Sequence, residues 1–249
     1  MSLLVRYLPL LLALAAWEGA SRLGLISQGL LPGLSEVVER WAYLMFSSDL
    51  LYHLGVSLYR EAAGFLLSVV IGIALGVAMA WSLRVRECLE PLVTLTYPVP
   101  KSALIPILIV WLGIGHTSKV AVIFLGCLLP MVISTYHGAR GVDPHLLWVG
   151  RNLRMPALRL LTRIVLPAAL PDILSGMRIA LAGSFVLLVS SELLIARAGL
   201  GFLISFLGEA GEYASMFAAI LTVAGLGFAA DRAFQYGMHR VLRWQQGPA

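Results

Sequence analysis

Six apolar runs set the limits on this chain: Leu8–Gly24, Gly64–Leu83, Leu92–Ile114, Val120–Tyr136, Met177–Ala196 and Ser215–Phe234. Each matches the roughly 17–25 helical residues that cross a ~30 Å hydrocarbon layer. Hydrocarbon offers backbone amides no water, so a spanning segment must be a helix or part of a closed barrel, and the alternating pattern of barrel strands is missing. The expected fold class is an all-α integral membrane protein of about six transmembrane helices. Composition agrees: charged residues make up 12% of the chain, against about 25% in soluble domains.

Between the fourth and fifth runs lies a basic, proline-punctuated segment, Gly138 to Arg178. Arg140, Arg151, Arg154, Arg159 and Arg163 would each cost about 2.5–3.5 kcal/mol inside the bilayer. This is therefore a loop outside the membrane. Arg6, Arg84, Arg86, the five loop arginines, Arg232, Arg240 and Arg243 fall on one side. Arg22, Arg40, Arg60, Lys119 and Arg197 fall on the other, with Lys101 and Arg178 within or beside spans. The richer side is expected to be cytoplasmic, with both termini inside a multi-pass cell (inner) membrane protein. The net charge of +5 then reflects orientation, and no nucleic-acid partner is expected.

The start of the chain has two readings. Arg6 followed by Tyr7–Ala16 and Ala-Leu-Ala has the elements of a signal peptide, yet the run continues apolar to Gly24, and a retained first span is expected. Pro32–Tyr59 is mixed. Ser35 is a candidate cap for an amphipathic helix with the stripe Val38, Trp41, Leu44 and Met45, lying on the outer membrane surface. No domain boundary is evident: residues 1–249 read as one domain. Residues 1–60 supply the first span and surface helix, 61–236 the core, and 138–171 the loop.

The loop carries local structure. Asp143 is a good N-cap and Pro144 a good first residue for a helix from His145 to about Leu153. Pro156 interrupts it. A second helix to about Val165 places Leu160, Leu161 and Ile164 on one face and Arg159 and Arg163 on another. Pro167 and Pro171 are expected to end it. The pattern alone fits either a folded docking element or a basic loop drawn to anionic membrane lipid.

Ionisable groups inside spans are functional candidates. Lys101 sits among Pro98, Pro100 and Pro106, where broken helix is tolerated if it lines a cavity. It is a candidate for meeting an anionic substrate, against snorkelling or pairing with Glu87 or Glu90. Glu192 lies deep in the fifth run beside Ser190 and Ser191, as an inter-helix hydrogen-bond group or a gate. Asp231 reads as an ion pair with Arg232, and Glu18 as a snorkelling group. Gly72 and Gly76 form a GxxxG pair that signals close helix packing. Cys88, Cys127 and the dispersed histidines form no metal set. No G-x-x-x-x-G-K-[ST] phosphate loop is present, and Gly113–Lys119 lacks the required order. No cofactor is expected in this chain, and no paired-carboxylate or Ser/His constellation marks it as an enzyme.

Three blocks add a resemblance. VLPAALPDILSGMRIA, preceded by GVDPHLL, resembles the cytoplasmic signature loop of permease subunits of binding-protein-dependent ABC importers. YPVPKSALIPILIVWLGIGHTSKVAVIF and SSELLIARAGLGFLI resemble the third and fifth spans of the nitrate/sulfonate/taurine branch. The resemblance implies a coupling-helix loop that docks an ATPase through Asp143, Pro144, His145, Leu146, Leu147, Trp148, Gly150, Arg151, Leu153, Arg154, Pro156 and Arg159. It matches the loop signature at Leu166, Pro167, Pro171 and Gly176. Pro98, Pro100, Lys101, Pro106 and Glu192 become candidates for the pathway or gate. The implied partners are a second permease copy, a cytosolic ATPase dimer that binds ATP and Mg, and an extracytoplasmic solute-binding protein. Substrates of the branch are sulfonates, nitrate, taurine, bicarbonate or heteroaromatic vitamin precursors. The chain departs from the pattern twice. Trp148-Val149-Gly150 stands where members have Glu-Ala-Ala, and Arg154 where they have a glycine at the turn. A proton-coupled secondary transporter using Glu192 is the alternative that the residues leave open.

Overall fold

The computed structural model describes residues 3–24 and 29–245. Among them the chain is helical, without strands: α1 Leu3–Arg22, α2 Leu34–Met45, α3 Ser48–Trp81, α4 Leu83–Thr96, α5 Ile105–Leu112, α6 His116–Arg140, α7 Pro144–Asn152, α8 Ala157–Leu160, α9 Leu166–Leu194, α10 Leu200–Glu209 and α11 Tyr213–Val241. A 3-10 turn, Lys101–Leu104, precedes α5, and a π turn, Leu161–Val165, joins α8 to α9. Four stretches among the described residues are long and apolar enough to cross a membrane: Asp49–Trp81, His116–Arg140, Ala157–Leu194 and Tyr213–Val241. The pair Leu83–Thr96 and Lys101–Leu112, bent by 91°, makes a fifth as one broken span. A sixth crossing would rest on α1, whose 20 residues reach about 30 Å.

Two of the expected boundaries are displaced. The second span was expected from Gly64, but α3 starts at Ser48 and takes in the end of the segment read as a surface helix. Pro167 and Pro171 do not end the helix of the loop; Ala157–Leu194 runs on as one stretch. The π turn explains this for Pro167, while Pro171 lies inside α9. The Leu166 amide donates to the Leu161 carbonyl, five residues back, and this widened turn relieves the clash a proline ring would make with the preceding carbonyls.

The helices pack as two compact units, one of Met1–Ser57 with Glu192–Leu226 and one of Leu58–Ser191 with Gly227–Ala249. The second unit is closed by small residues. Gly64, Ser68, Gly72 and Gly76 recur every four positions along α3, on one helix face. A Cβ on Gly64 would lie 2.7 Å from Ile123 Cβ, and one on Gly76 would lie 2.6 Å from Thr135 Cβ and 2.7 Å from the Val132 carbonyl oxygen. Helices bearing such stripes approach backbone to backbone, where dispersion replaces the absent hydrophobic drive. The pair Gly72 and Gly76 thus serves packing, as expected. Around it Phe65, Ile123, Cys127, Met131, Ile173 and Leu188 form one core. Ile105, Leu108 and Ile109 of α5 pack on Val122 of α6 as another.

This unit also buries charge. Arg60 and Lys119, counted from sequence as outer-loop cations, are withdrawn into the bundle, Lys119 at 0% exposure. The Arg60 Nε donates to His116 Nδ1 at 3.4 Å, and the Ser184 hydroxyl donates to Glu61. Asp231 pairs with Arg178, whose Nε lies 2.8 Å from Oδ1. The expected partner Arg232 lies instead over the Phe228 ring.

In the first unit, Leu50, Leu200, Leu203, Ile204, Leu207 and Ala219 form the core. The cap of α2 is Gly33 and not Ser35. The orphan amides at this helix start are met by Glu18, whose carboxylate accepts from Leu34 N at 2.6 Å and from Ser35 N at 3.4 Å. Glu18 therefore ties α1 to α2. On α2, Val37 is the buried valine and Val38 is exposed, while the Trp41 Nε1 donates to Thr222 Oγ1 at 3.1 Å.

Candidate functional site

The loop folds as a pair of packed helices. Asp143 Oδ1 accepts from His145 N at 2.8 Å and Pro144 opens α7, as the sequence reading required. At the other end Arg154 takes φ +52, in the left-handed region. Its amide donates to the Arg151 carbonyl at 2.9 Å, and the Met155 amide reaches back to the Gly150 carbonyl at 3.1 Å. That pair of bonds is a Schellman closure, with Arg154 in the place usually held by glycine. The turn is kept, and the departure at Arg154 costs conformational energy without changing geometry.

Gly150 is the second departure, and it is buried. A Cβ there would press on Leu160 Cδ1 and lie 2.8 Å from Ile164 Cδ1. Glycine lets α7 cross α8 and the π turn closely. The apolar face of the second helix, a candidate for docking, is thus turned inward at Leu160 and Ile164, while Leu161 stays partly exposed. What remains outside is apolar: Leu146, Trp148, Val149, Leu153 and Leu158 are all exposed. The His145 ring meets Trp148 edge-on, with centroids 5.1 Å apart. Arg159 and Arg163 also stay exposed. Of the signature residues, Leu166, Pro167 and Pro171 form the first turns of α9. Gly176 meets Ser134 of α6, where a Cβ would not fit.

Glu192 is the second feature. It is 1% exposed and lies at the end of α9, in the first unit. Its carboxylate accepts from Ser57 Oγ at 2.8 and 3.0 Å and from Gly201 N at 2.9 Å. Ser57 Oγ in turn accepts from Leu200 N at 2.8 Å, and His53 Nδ1 accepts from Gly199 N at 3.0 Å. Asp49 Oδ1 lies 3.5 Å from His53 Nε2. Three side chains thus hold the three consecutive amides of Gly199-Leu200-Gly201. Gly199 has φ +117, and a Cβ there would run into the Glu192 carboxylate. The neighbouring Ser191 Oγ donates to the Leu188 carbonyl.

His53 and Ser57 escaped sequence reading because they were placed outside the membrane helices. The available signal was the four-residue spacing of Asp49, His53 and Ser57, which sets them on one helix face.

Lys101 sits at the 91° break between α4 and α5. The helical ladder breaks there and leaves carbonyls without helical donors. The ammonium takes them: it donates to Thr96 O, to Val99 O at 2.8 Å and to Tyr97 O at 3.5 Å. It pairs with neither Glu87 nor Glu90. Pro106 lies in the first turn of α5.

Residues 68–243 match the model of the family described as binding-protein-dependent transport system inner membrane component. The chain belongs to this family. It is a permease component of a binding-protein-dependent ABC importer and a multi-pass membrane protein. It is 33% identical to the aliphatic sulfonates transport permease protein SsuC of Bacillus subtilis (strain 168), over 93% of this chain and 84% of that one. It is 32% identical to the taurine transport system permease protein TauC of Escherichia coli (strain K12), over 93% and 86%. These relatives place it in the sulfonate/taurine branch. The fold agrees with the inward-facing MetNI methionine ABC transporter. That match has a TM-score of 0.64 at 17% identity, over 78% of this chain and 95% of that one. Members of this family are the membrane components of such importers and not enzymes, and they work with an ATPase and a solute-binding protein.

Proposed function

We propose that two copies of this chain form a translocation pathway for small organosulfonate anions, driven by separate ATPase subunits docked on α7. The observation that carries this is the two-sided α7. One side is closed by Gly150 against Leu160 and Ile164, while Leu146, Trp148, Val149 and Leu153 stand exposed on a packed pair. An apolar patch on an ordered surface helix marks an interaction site. The substrate class follows the relatives' transport of aliphatic sulfonates and taurine. ATP and Mg would bind the partner, since Gly113–Lys119 lacks phosphate-loop order.

Orientation follows from charge. With Arg60 and Lys119 buried, the outer tally shrinks to Arg22, Arg40 and Arg197, which strengthens cytoplasmic termini and a cytoplasmic helix pair. The first span is α1. Coupling runs along α9, one helix from Leu166 to Leu194. Displacing the docked pair would pull on α9, the helix that carries Glu192 near its end. In this scheme Glu192 is an anchor made of accepted hydrogen bonds, which gives the proton-coupled reading no support.

The test is a double substitution on the exposed face, Trp148→Asp with Val149→Asp. Membrane insertion and helical content should be unchanged, and co-purification of the cognate ATPase should fall more than tenfold. Undiminished co-purification would remove α7 as the docking element. ATPase-independent uptake into vesicles would overturn the importer mechanism.

A further inference from the structure

A second feature of the helix pair faces away from the docking patch. In the second unit a cavity of about 430 Å³ is bounded by α3, α6, α7 and the α8–α9 stretch. Val77 and Trp81 of α3, Leu147 of α7, Leu160 and Val165 supply the apolar half of its lining, and the other half is polar. Two cations stand on it: Arg140, which ends α6, and Arg151, in the last turn of α7. Both are exposed, and neither guanidinium has a hydrogen bond or ion pair among the described residues. No aspartate or glutamate lines the cavity.

Two uncompensated guanidinium groups above an apolar slot match an anion that carries a hydrocarbon tail. Guanidinium binds phosphate through paired, charge-assisted hydrogen bonds. A soluble anion would use the arginines and leave the apolar wall unfilled. Trp81 is half-exposed at the end of its helix, the position of an aromatic residue at headgroup level. Basic pockets between transmembrane helices on the cytoplasmic side suit acidic headgroups.

We propose that this cavity holds one anionic phospholipid of the cytoplasmic leaflet, with its phosphate between Arg140 and Arg151 and an acyl chain along Val77, Leu160 and Val165. The leaflet rests on the cytoplasmic placement of the helix pair proposed above; the site itself does not. Leu147 and Arg151 belong to α7, so the lipid braces the docking helix against α6 from behind. Leu146, Trp148 and Val149 stay available to a protein partner.

The experiment uses the purified full-length chain in detergent, where orientation plays no part. Native mass spectrometry counts retained phosphatidylglycerol during titration, with phosphatidylcholine as the neutral probe and inorganic phosphate as the tail-free probe. One phosphatidylglycerol should persist where phosphatidylcholine does not, and millimolar phosphate should not displace it. Arg140→Gln with Arg151→Gln should weaken its retention at least tenfold. Arg84→Gln with Arg243→Gln, which removes equal charge elsewhere, should not. Val77→Phe should block retention with both arginines intact; should that variant misfold, the surface arginine pair decides alone. Equal retention of phosphatidylcholine, displacement by phosphate, or undiminished retention in the Arg140/Arg151 variant would each overturn the proposal. Loss of ATPase co-purification in that variant with lipid retention unchanged would assign the cavity to the protein partner instead. Placement of the helix pair on the opposite side by thiol labelling would sink the leaflet assignment and leave the binding result standing.

Discussion

The Ser57 hydroxyl donates to Glu192 at 2.8 Å and accepts the Leu200 amide at the same distance. One side chain of α3 thereby joins the end of α9 to the start of α10. Glu192→Leu would orphan the Ser57 hydroxyl and the Gly201 amide, at about 1–3 kcal/mol for each buried group. Glu192→Gln keeps an acceptor oxygen. The Gln variant should therefore transport and the Leu variant should not, as measured by ATP-coupled uptake in proteoliposomes. Failure of both would show that charge is required, and normal uptake in the Leu variant would discharge Glu192 from any role.

Gly199 makes a sharper test of the same cradle. Its φ of +117 and the carboxylate behind it leave no place for a Cβ. Gly199→Ala should lower thermal stability by several degrees and reduce transport. Gly183 is a helical glycine with nothing within 4 Å of its Cβ position. Gly183→Ala should be neutral or stabilising by up to about 1 kcal/mol.

Arg154 sits in a left-handed conformation that strains an L side chain by about 1 kcal/mol. Arg154→Gly should raise the melting temperature and keep ATPase co-purification, because the Schellman bonds come from the backbone. Arg154→Val should lower both, since β-branching disfavours that conformation most.

The α3–α6 contact should tolerate nothing larger than a small residue. Gly76→Val drives its side chain toward Thr135 Cβ and the Val132 carbonyl, and overpacking a fixed backbone contact costs about 1–3 kcal/mol or more. Expression of folded protein should collapse, as judged by size-exclusion profile. Gly225→Ala, with open space at its Cβ, should behave as the parent.

Topology is testable by thiol labelling. Cys88 is exposed and Cys127 buried, so Cys88→Ser supplies the background. In it, Arg159→Cys and Glu212→Cys should be modified from opposite sides by an impermeant reagent. Modification of both from one side would defeat the six-span arrangement.

The sequence by itself determined the helical fold, the start of α7 and the branch. Apolar runs in lipid leave the backbone only its own hydrogen bonds, and the Asp143-Pro144 start of α7 is set by neighbours in the chain. Helix α7 was legible because caps and prolines act within a few residues. Tertiary structure decided what depended on partners distant in sequence. Glu18 caps α2 across 16 positions, and Ser57 meets Glu192 across 135. Lys119 and Arg60 are buried although local charge counting places them in loops. Arg154 keeps a glycine's conformation because the closure around it is made by backbone atoms, and the face of Leu160 and Ile164 turns inward because Gly150 admits it. Local rules describe the backbone's own needs; a buried polar side chain is satisfied only by whatever packing brings beside it.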